Sequence, residues 1–189
     1  MELLEQRILS DGQLLPGGIL KVDNFLNHQM DPMLLQAMAK EWHRLFEHDG
    51  VNKILTIEAS GIALAILTGL EFRCPVVFAK KSKSSNISDN LYQTEIPSFT
   101  HGNTNTVVVS KDYLLPSDRV LLIDDFLATG AALVGLKDLV EQAGATLVGA
   151  GCAIEKRFQG GGDELRAEGV RVESLARIVR MDDSGIEFG

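Results

Sequence analysis

One run of this sequence concentrates groups that could do chemistry: Val120-Leu121-Leu122-Ile123-Asp124-Asp125-Phe126-Leu127-Ala128-Thr129-Gly130-Ala131-Ala132. Its four opening apolar residues predict a buried strand. Asp124 and Asp125 then emerge at the carboxyl end, where open α/β sheets bind their ligands. Ala128, Gly130, Ala131 and Ala132 are small enough for the backbone to close around an anion. Successive N–H groups and the positive end of a following helix would hold a phosphate there, with the Thr129 hydroxyl as a further donor. Ionised carboxylates only accept hydrogen bonds, so Asp124 and Asp125 suit the vicinal hydroxyls of a sugar. The same pattern is also compatible with two solvated caps, or with the acidic pocket of a phosphoacceptor domain, and a single short motif does not choose between them.

The surrounding chain supplies elements able to position this run. Residues 53–57 read as a buried strand, 59–61 as a turn and 62–70 as a helix. Further strands are expected at 75–79, 106–109, 120–123, 147–154 and, last, 170–178. Leu133, Leu136, Val140 and Ala143 lie on one face of a helix over 130–143, and Gly144 stands where a left-handed cap would end it. Such alternation implies an α/β fold with a mostly parallel twisted sheet flanked by helices. Residues 1–50 fall outside the alternation and are expected to form a hood over one end of a single domain spanning 1–189. They open on a short helix over 1–9, break at Gly17-Gly18 and continue as an extended piece over 19–22. A helix then starts with Asp31 as N-cap and Pro32 in its first turn, carrying Leu34, Met38, Trp42 and Leu45 at helical spacing. Gly160-Gly161-Gly162, followed by Asp163, reads as a flexible entry to a short helix.

Composition narrows the classes of function. Eighteen Lys and Arg against 26 Asp and Glu leave a net charge of −8, which argues against binding nucleic acid or an anionic membrane through bulk charge. Cys74 and Cys152 each sit among apolar neighbours and do not suggest a disulfide framework. The longest uncharged apolar stretch, 59–70, is shorter than the ~18 residues that span a bilayer. His28, His43, His48 and His101 show no metal-ligand spacing, and the N-terminus does not read as a signal peptide. A cytoplasmic location is expected.

The run from Val120 to Ala132 resembles the phosphoribosyl-pyrophosphate (PRPP) signature of the type I phosphoribosyltransferases, with Ala131 a small departure from the Gly or Thr that many members carry. Further segments resemble the xanthine branch of that family: Leu20-Lys21-Val22-Asp23-Asn24-Phe25-Leu26-Asn27-His28-Gln29, Ile57-Glu58-Ala59-Ser60-Gly61-Ile62-Ala63, Val77-Phe78-Ala79-Lys80-Lys81, Ile154-Glu155-Lys156 and Arg171-Val172-Glu173-Ser174-Leu175-Ala176-Arg177-Ile178. The resemblance implies the type I phosphoribosyltransferase fold, with a small N-terminal/C-terminal hood over the active site. It also implies transfer of a phosphoribosyl group from PRPP to xanthine. Asp124 and Asp125 would be the catalytic pair on the ribose, and Ala128, Thr129, Gly130, Ala131 and Ala132 the phosphate cradle. Ala59, Ser60 and Gly61 would form a pyrophosphate loop with an unusual peptide conformation, and Leu20, Asn27 and Lys156 would recognise the base. An ammonium at Lys156 suits an oxygen-rich purine that readily becomes an anion, Asn27 offers donor and acceptor, and Leu20 an apolar wall. Phe158 could stack on the purine or pack in the core. The long polar connection over 80–104 would be a flap, mobile over 82–92, that excludes water. Lys80 and Lys81 at its base would reach a neighbouring subunit's pyrophosphate. Mg2+ would come mainly bound to PRPP, the chain itself would hold no metal, and two copies would form a homodimer. Adenine or hypoxanthine-guanine as the base, and a PRPP-sensing transcription regulator, stay open as alternatives.

Overall fold

The computed structural model describes residues 1–81, 90–97, 104–182 and 184–189. The chain enters on α1 (Glu2–Asp11), a ribbon of β1 (Gln13–Leu15) and β2 (Ile19–Lys21), and a π-helical turn, Asp23–Asn27. Next comes α2 (Pro32–Phe46). Asp31 starts α2 as its spacing predicts: the carboxylate accepts from the N–H groups of Met33 and Leu34 at 3.0 and 3.2 Å, satisfying donors that a helix start leaves free. Leu34, Leu35, Met38, Trp42 and Phe46 are buried along one stripe of the helix.

The alternating part runs β3 (Lys53–Ile57), α3 (Gly61–Phe72), β4 (Val76–Ala79), β5 (Leu91–Pro97), β6 (Thr104–Ser110), β7 (Arg119–Leu127), α4 (Ala131–Gln142) and β8 (Thr146–Lys156). After a 3-10 turn, Arg157–Gln159, it closes with α5 (Gly161–Ala167), β9 (Val172–Asp182) and β10 (Gly185–Phe188). The main sheet has six strands in the order β10-β9-β8-β7-β3-β4. All its pairs are parallel except β10 with β9, which is the mostly parallel α/β architecture that the alternation implied.

The pleat of β7 divides the core in two. Leu121 and Ile123 join α1, α2 and α3 on one face, where Trp42, Phe46, Ile54 and Ile154 pack with them. Val120 and Leu122 face the other way, towards Leu133, Leu136, Leu139 and Val140 of α4 and Val107 and Val109 of β6. Continuous apolar runs on β7 and β8 follow from burial of both faces. Helix α2 settles close to the sheet because β8 carries glycine opposite its aromatics: a Cβ on Gly151 would lie 2.7 Å from Trp42 Nε1. Cys74 and Cys152 are free thiols.

Three differences from the sequence expectation have physical causes. Strand β7 does not stop at Ile123: Asp124 pairs with Cys152 and Phe126 with Ile154 on β8, so the ladder carries the acidic pair within the strand. The ribbon strand β1 is exposed along its length, and β5 and β10 mix polar with apolar residues, so none has the buried apolar run that marks a strand in sequence. Finally, β5 occupies residues expected to belong to the flap and pairs antiparallel with β6 over its whole length. The remaining flap positions, 82–89 and 98–103, lie outside the described residues.

Candidate active site

The carboxyl ends of β3 and β7, the start of α4 and the β5–β6 ribbon enclose a cleft of about 260 Å3. The turn Ala128, Thr129, Gly130, Ala131 and Ala132 forms one wall, with Asp124, Asp125 and Phe126 beside it. Gly130 has φ +84, a left-handed conformation that favours glycine, and it leads directly into α4. No acidic residue sits in the first turn of α4, so the positive end of the helix dipole faces the cleft uncompensated and favours an anion. Across the cleft stand Glu58 and Ser60, from the turn between β3 and α3, and Lys81, whose N–H donates to a Glu58 carboxylate oxygen at 2.7 Å. The Glu58–Ala59 peptide is cis.

The two acids differ in environment because successive strand residues point to opposite faces. Asp124 lies with Val120 and Leu122 on the α4 side, and its carboxylate accepts the N–H of Asp125 at 2.9 Å. Burial holds the Asp124 carboxyl well above its usual range, and the neighbouring charge of Asp125 pushes it the same way. Asp125 points to the other face, where Asn27 Nδ2 donates to its Oδ2 at 3.2 Å. The N-terminal segment therefore touches the acidic pair directly.

The residues that the resemblance assigns to the base lie beyond Asp125 and Phe126, outside the walls of the cleft. Lys156 ends β8, donates to the Gly18 carbonyl at 3.2 Å and places its ammonium 5.8 Å from the centre of the Phe126 ring. Burial lowers its pKa. Asn27 ends the π-helical turn, and Leu20 is buried in the core that it shares with Leu26 and Ile154. Of the pyrophosphate-loop candidates, Ser60 lines the cleft, whereas Ala59 and Gly61 shape the turn behind it. A Cβ on Gly61 would fall 2.1 Å from the Thr56 hydroxyl oxygen, so only glycine lets α3 begin so close to β3. Lys81 lines this chain's own cleft, while Lys80 lies over the Phe78 ring at 5.9 Å beside a separate groove.

Sequence reasoning passed over Phe126, which stands between the 128–132 turn and Lys156, and Glu58, which accepts the Lys81 N–H across the cleft. The signal for Phe126 was its place directly after two acids on a strand. Phe158, the aromatic singled out instead, is 48% exposed. Among the described residues no three His, Cys, Asp or Glu side chains converge as a metal site.

The phosphoribosyl transferase domain family matches residues 21–172. The chain belongs to the phosphoribosyltransferase family. As a phosphoribosyltransferase it is an enzyme that transfers a pentosyl group, and its fold is the type I fold. It is 54% identical over its whole length to xanthine phosphoribosyltransferase of Finegoldia magna, covering 99% of that protein. It is 50% identical to the xanthine phosphoribosyltransferase of Bacillus cereus strain AH187, covering 95% of it. In structure this phosphoribosyltransferase is similar to adenine phosphoribosyltransferase of Giardia lamblia in complex with 9-deazaadenine: TM-score 0.79, 22% identity, covering 94% of this chain and 98% of that one. Adenine phosphoribosyltransferase of Trypanosoma brucei gives a TM-score of 0.77 at 19% identity, covering 96% and 82%. Identities this low speak to the fold alone. No described helix is long and apolar enough to cross a membrane.

Proposed function

We propose that this phosphoribosyltransferase transfers the phosphoribosyl group of PRPP to N9 of xanthine, giving xanthosine 5′-monophosphate and diphosphate in purine salvage. The observation that carries the choice of base is the identity of 50–54% over the full chain to xanthine phosphoribosyltransferases. The geometry supports it: an anion-favouring turn and a carboxylate pair line one cleft, and Phe126 at its edge lies under the ammonium of Lys156.

In this reading the amides of Ala128, Thr129, Gly130, Ala131 and Ala132 hold the 5′-phosphate, and Asp124 and Asp125 accept the ribose hydroxyls. The Ala59-Ser60-Gly61 turn and Lys81 face the departing diphosphate. The substrate would be PRPP carrying Mg2+, and the ion would supply charge neutralisation for the departing diphosphate. Carboxylates fixed near the sugar stabilise the oxocarbenium character that develops on it. Lys156 pairs with a xanthine oxygen, Phe126 offers its ring face to the purine, and Asn27 exchanges its contact with Asp125 for the base edge. Positioning supplies most of the catalysis. The enzyme acts in the cytoplasm as a homodimer, for which exposed Ile66 and Leu70 on α3 offer apolar surface.

Diphosphate release from PRPP and Mg2+ with xanthine, guanine, hypoxanthine or adenine tests the assignment. Xanthine is expected to give the highest kcat/KM, and a preference for adenine refutes the roles given to Asn27 and Lys156. An Asp124→Asn/Asp125→Asn double variant is expected to stay folded and lose most turnover.

A further inference from the structure

The short helix α5 has no place in the mechanism above, yet its first residue abuts the backbone of the phosphate turn. A Cβ built on Gly161 would lie 2.2 Å from the Thr129 carbonyl carbon, 2.4 Å from Gly130 N and 2.5 Å from the Thr129 oxygen. All three are backbone atoms, which cannot step aside as a flexible side chain would. The Gly161 N–H also donates to the Ala128 carbonyl at 3.2 Å. The rear of the turn is therefore filled by bare backbone, with its peptides held edge to edge against the first residue of α5.

A second observation shows what fixes α5. Arg166 donates both arms of its guanidinium to Glu155, 2.8 Å each, and donates also to the Val172 carbonyl at 3.2 Å. Glu155 is fully buried at the end of β8, beside Lys156. A forked pair of this kind fixes direction as well as distance. The fit continues at Gly162, where a Cβ would meet a Glu155 carboxylate oxygen at 2.0 Å. Sheet, ion pair, helix and phosphate turn thus form one contiguous stack: Glu155 to Arg166, α5 to Gly161, Gly161 to the Thr129–Gly130 peptide.

We propose that Gly161, set in place by the Glu155–Arg166 pair, is a positioning residue for the 5′-phosphate: it braces the Thr129–Gly130 peptide so that the amides of the turn point into the cleft. This rests on the reading of residues 128–132 as the phosphate seat. Preorganised amides give their full benefit only when no reorganisation is needed on binding. A methyl group behind the peptide must rotate or displace it, and a misdirected amide forfeits roughly one charge-assisted hydrogen bond, about 10- to 100-fold in affinity.

The test compares Gly161→Ala with two further variants, Gly149→Ala and Thr129→Ala. Gly149 is also crowded, with a Cβ 2.7 Å from the Arg171 carbonyl oxygen, but it lies near the other end of β8. PRPP affinity is read by calorimetry, KM for PRPP and for xanthine by steady-state kinetics, and Tm by calorimetric melting. Gly161→Ala is expected to weaken PRPP by ~10- to 100-fold while KM for xanthine changes less than ~3-fold. Gly149→Ala is expected to lower Tm and leave PRPP binding intact. Unchanged PRPP affinity in folded Gly161→Ala, with affinity lost in Thr129→Ala, overturns the bracing role and spares the phosphate seat. Unchanged affinity in both overturns the brace and the part of the Thr129 hydroxyl in holding the phosphate. Should Gly161→Ala not fold, Arg166→Lys decides: it keeps a positive charge by Glu155 but loses the fork. A rise in KM for PRPP alone supports the brace, and no change in either KM overturns it.

Discussion

Replacing Asp124 by asparagine should make the protein more stable and a worse enzyme. The carboxylate is only 4% exposed, and both its burial and the adjacent Asp125 raise its pKa above the ordinary value of 3.8. The sign follows from proton uptake. Above pH 3.8 the unfolded chain loses the Asp124 proton while the folded protein still holds it, so wild-type stability falls as pH rises towards the folded pKa. Asparagine does not titrate. It keeps an oxygen able to accept the Asp125 N–H at 2.9 Å, and it gains an N–H2 that can donate to the Asp125 carboxylate. Relief of a buried electrostatic conflict of this kind gives about 1–2 kcal/mol at neutral pH. A chain of this size shifts by 2–4 °C per kcal/mol, so the expected rise in Tm is ~2–8 °C. Calorimetric melting across pH should show the variant's advantage small in acid, growing with pH and levelling once Asp124 is ionised in the folded wild type. Turnover should fall ~10- to 100-fold with the loss of one charge-assisted contact to ribose. A Tm at neutral pH no higher than wild type, or an advantage that shrinks as pH rises, would refute this electrostatic reasoning.

Other substitutions separate the base side from the fold. Lys156→Met keeps an apolar stem near Phe126 and removes the ammonium, so KM for xanthine should rise ~10-fold or more with KM for PRPP unchanged; equal rises in both would place Lys156 on the sugar side. Asp31→Ala deletes the cap of α2. It should cost about 1 kcal/mol, or ~2–4 °C in Tm, with both KM values as in wild type, and an unchanged Tm would mean that the cap contributes nothing.

The elements most legible in sequence are those whose environment is uniform. Strands β3 and β8 and helix α4 carry apolar residues at their core positions, Thr56 and Glu155 apart, and Asp31-Pro32 marks the start of α2 by local chemistry. Strands β2 and β6 were read as extended, whereas β1, β5 and β10 were illegible for the converse reason. Each is held by a partner strand and by cover from one side, so its residues mix polar and apolar without a buried run. The acidic pair and the small-residue turn were readable because they sit in one contiguous segment. The cleft's opposite wall was less so: Glu58 and Lys81 reach it from separate turns, and Phe126 matters because of what β8 and the N-terminal segment bring to its other side. The role of Gly160-Gly161-Gly162 was hidden most completely. A run of glycines signals flexibility in sequence, whereas Gly161 and Gly162 lack side chains because the backbone of one turn and the carboxylate of Glu155 already fill that space.

The pleat of β7 has a consequence for how this enzyme could evolve or be redesigned. Asp124 and Asp125 are chemically identical, and only their parity along the strand decides which one meets Asn27 and which one looks towards α4. Sliding β7 by a single position would send every inward residue outward and exchange the partners of the two acids, although no atom in their side chains had changed. An insertion or deletion between Arg119 and Ile123 is therefore a change of chemistry.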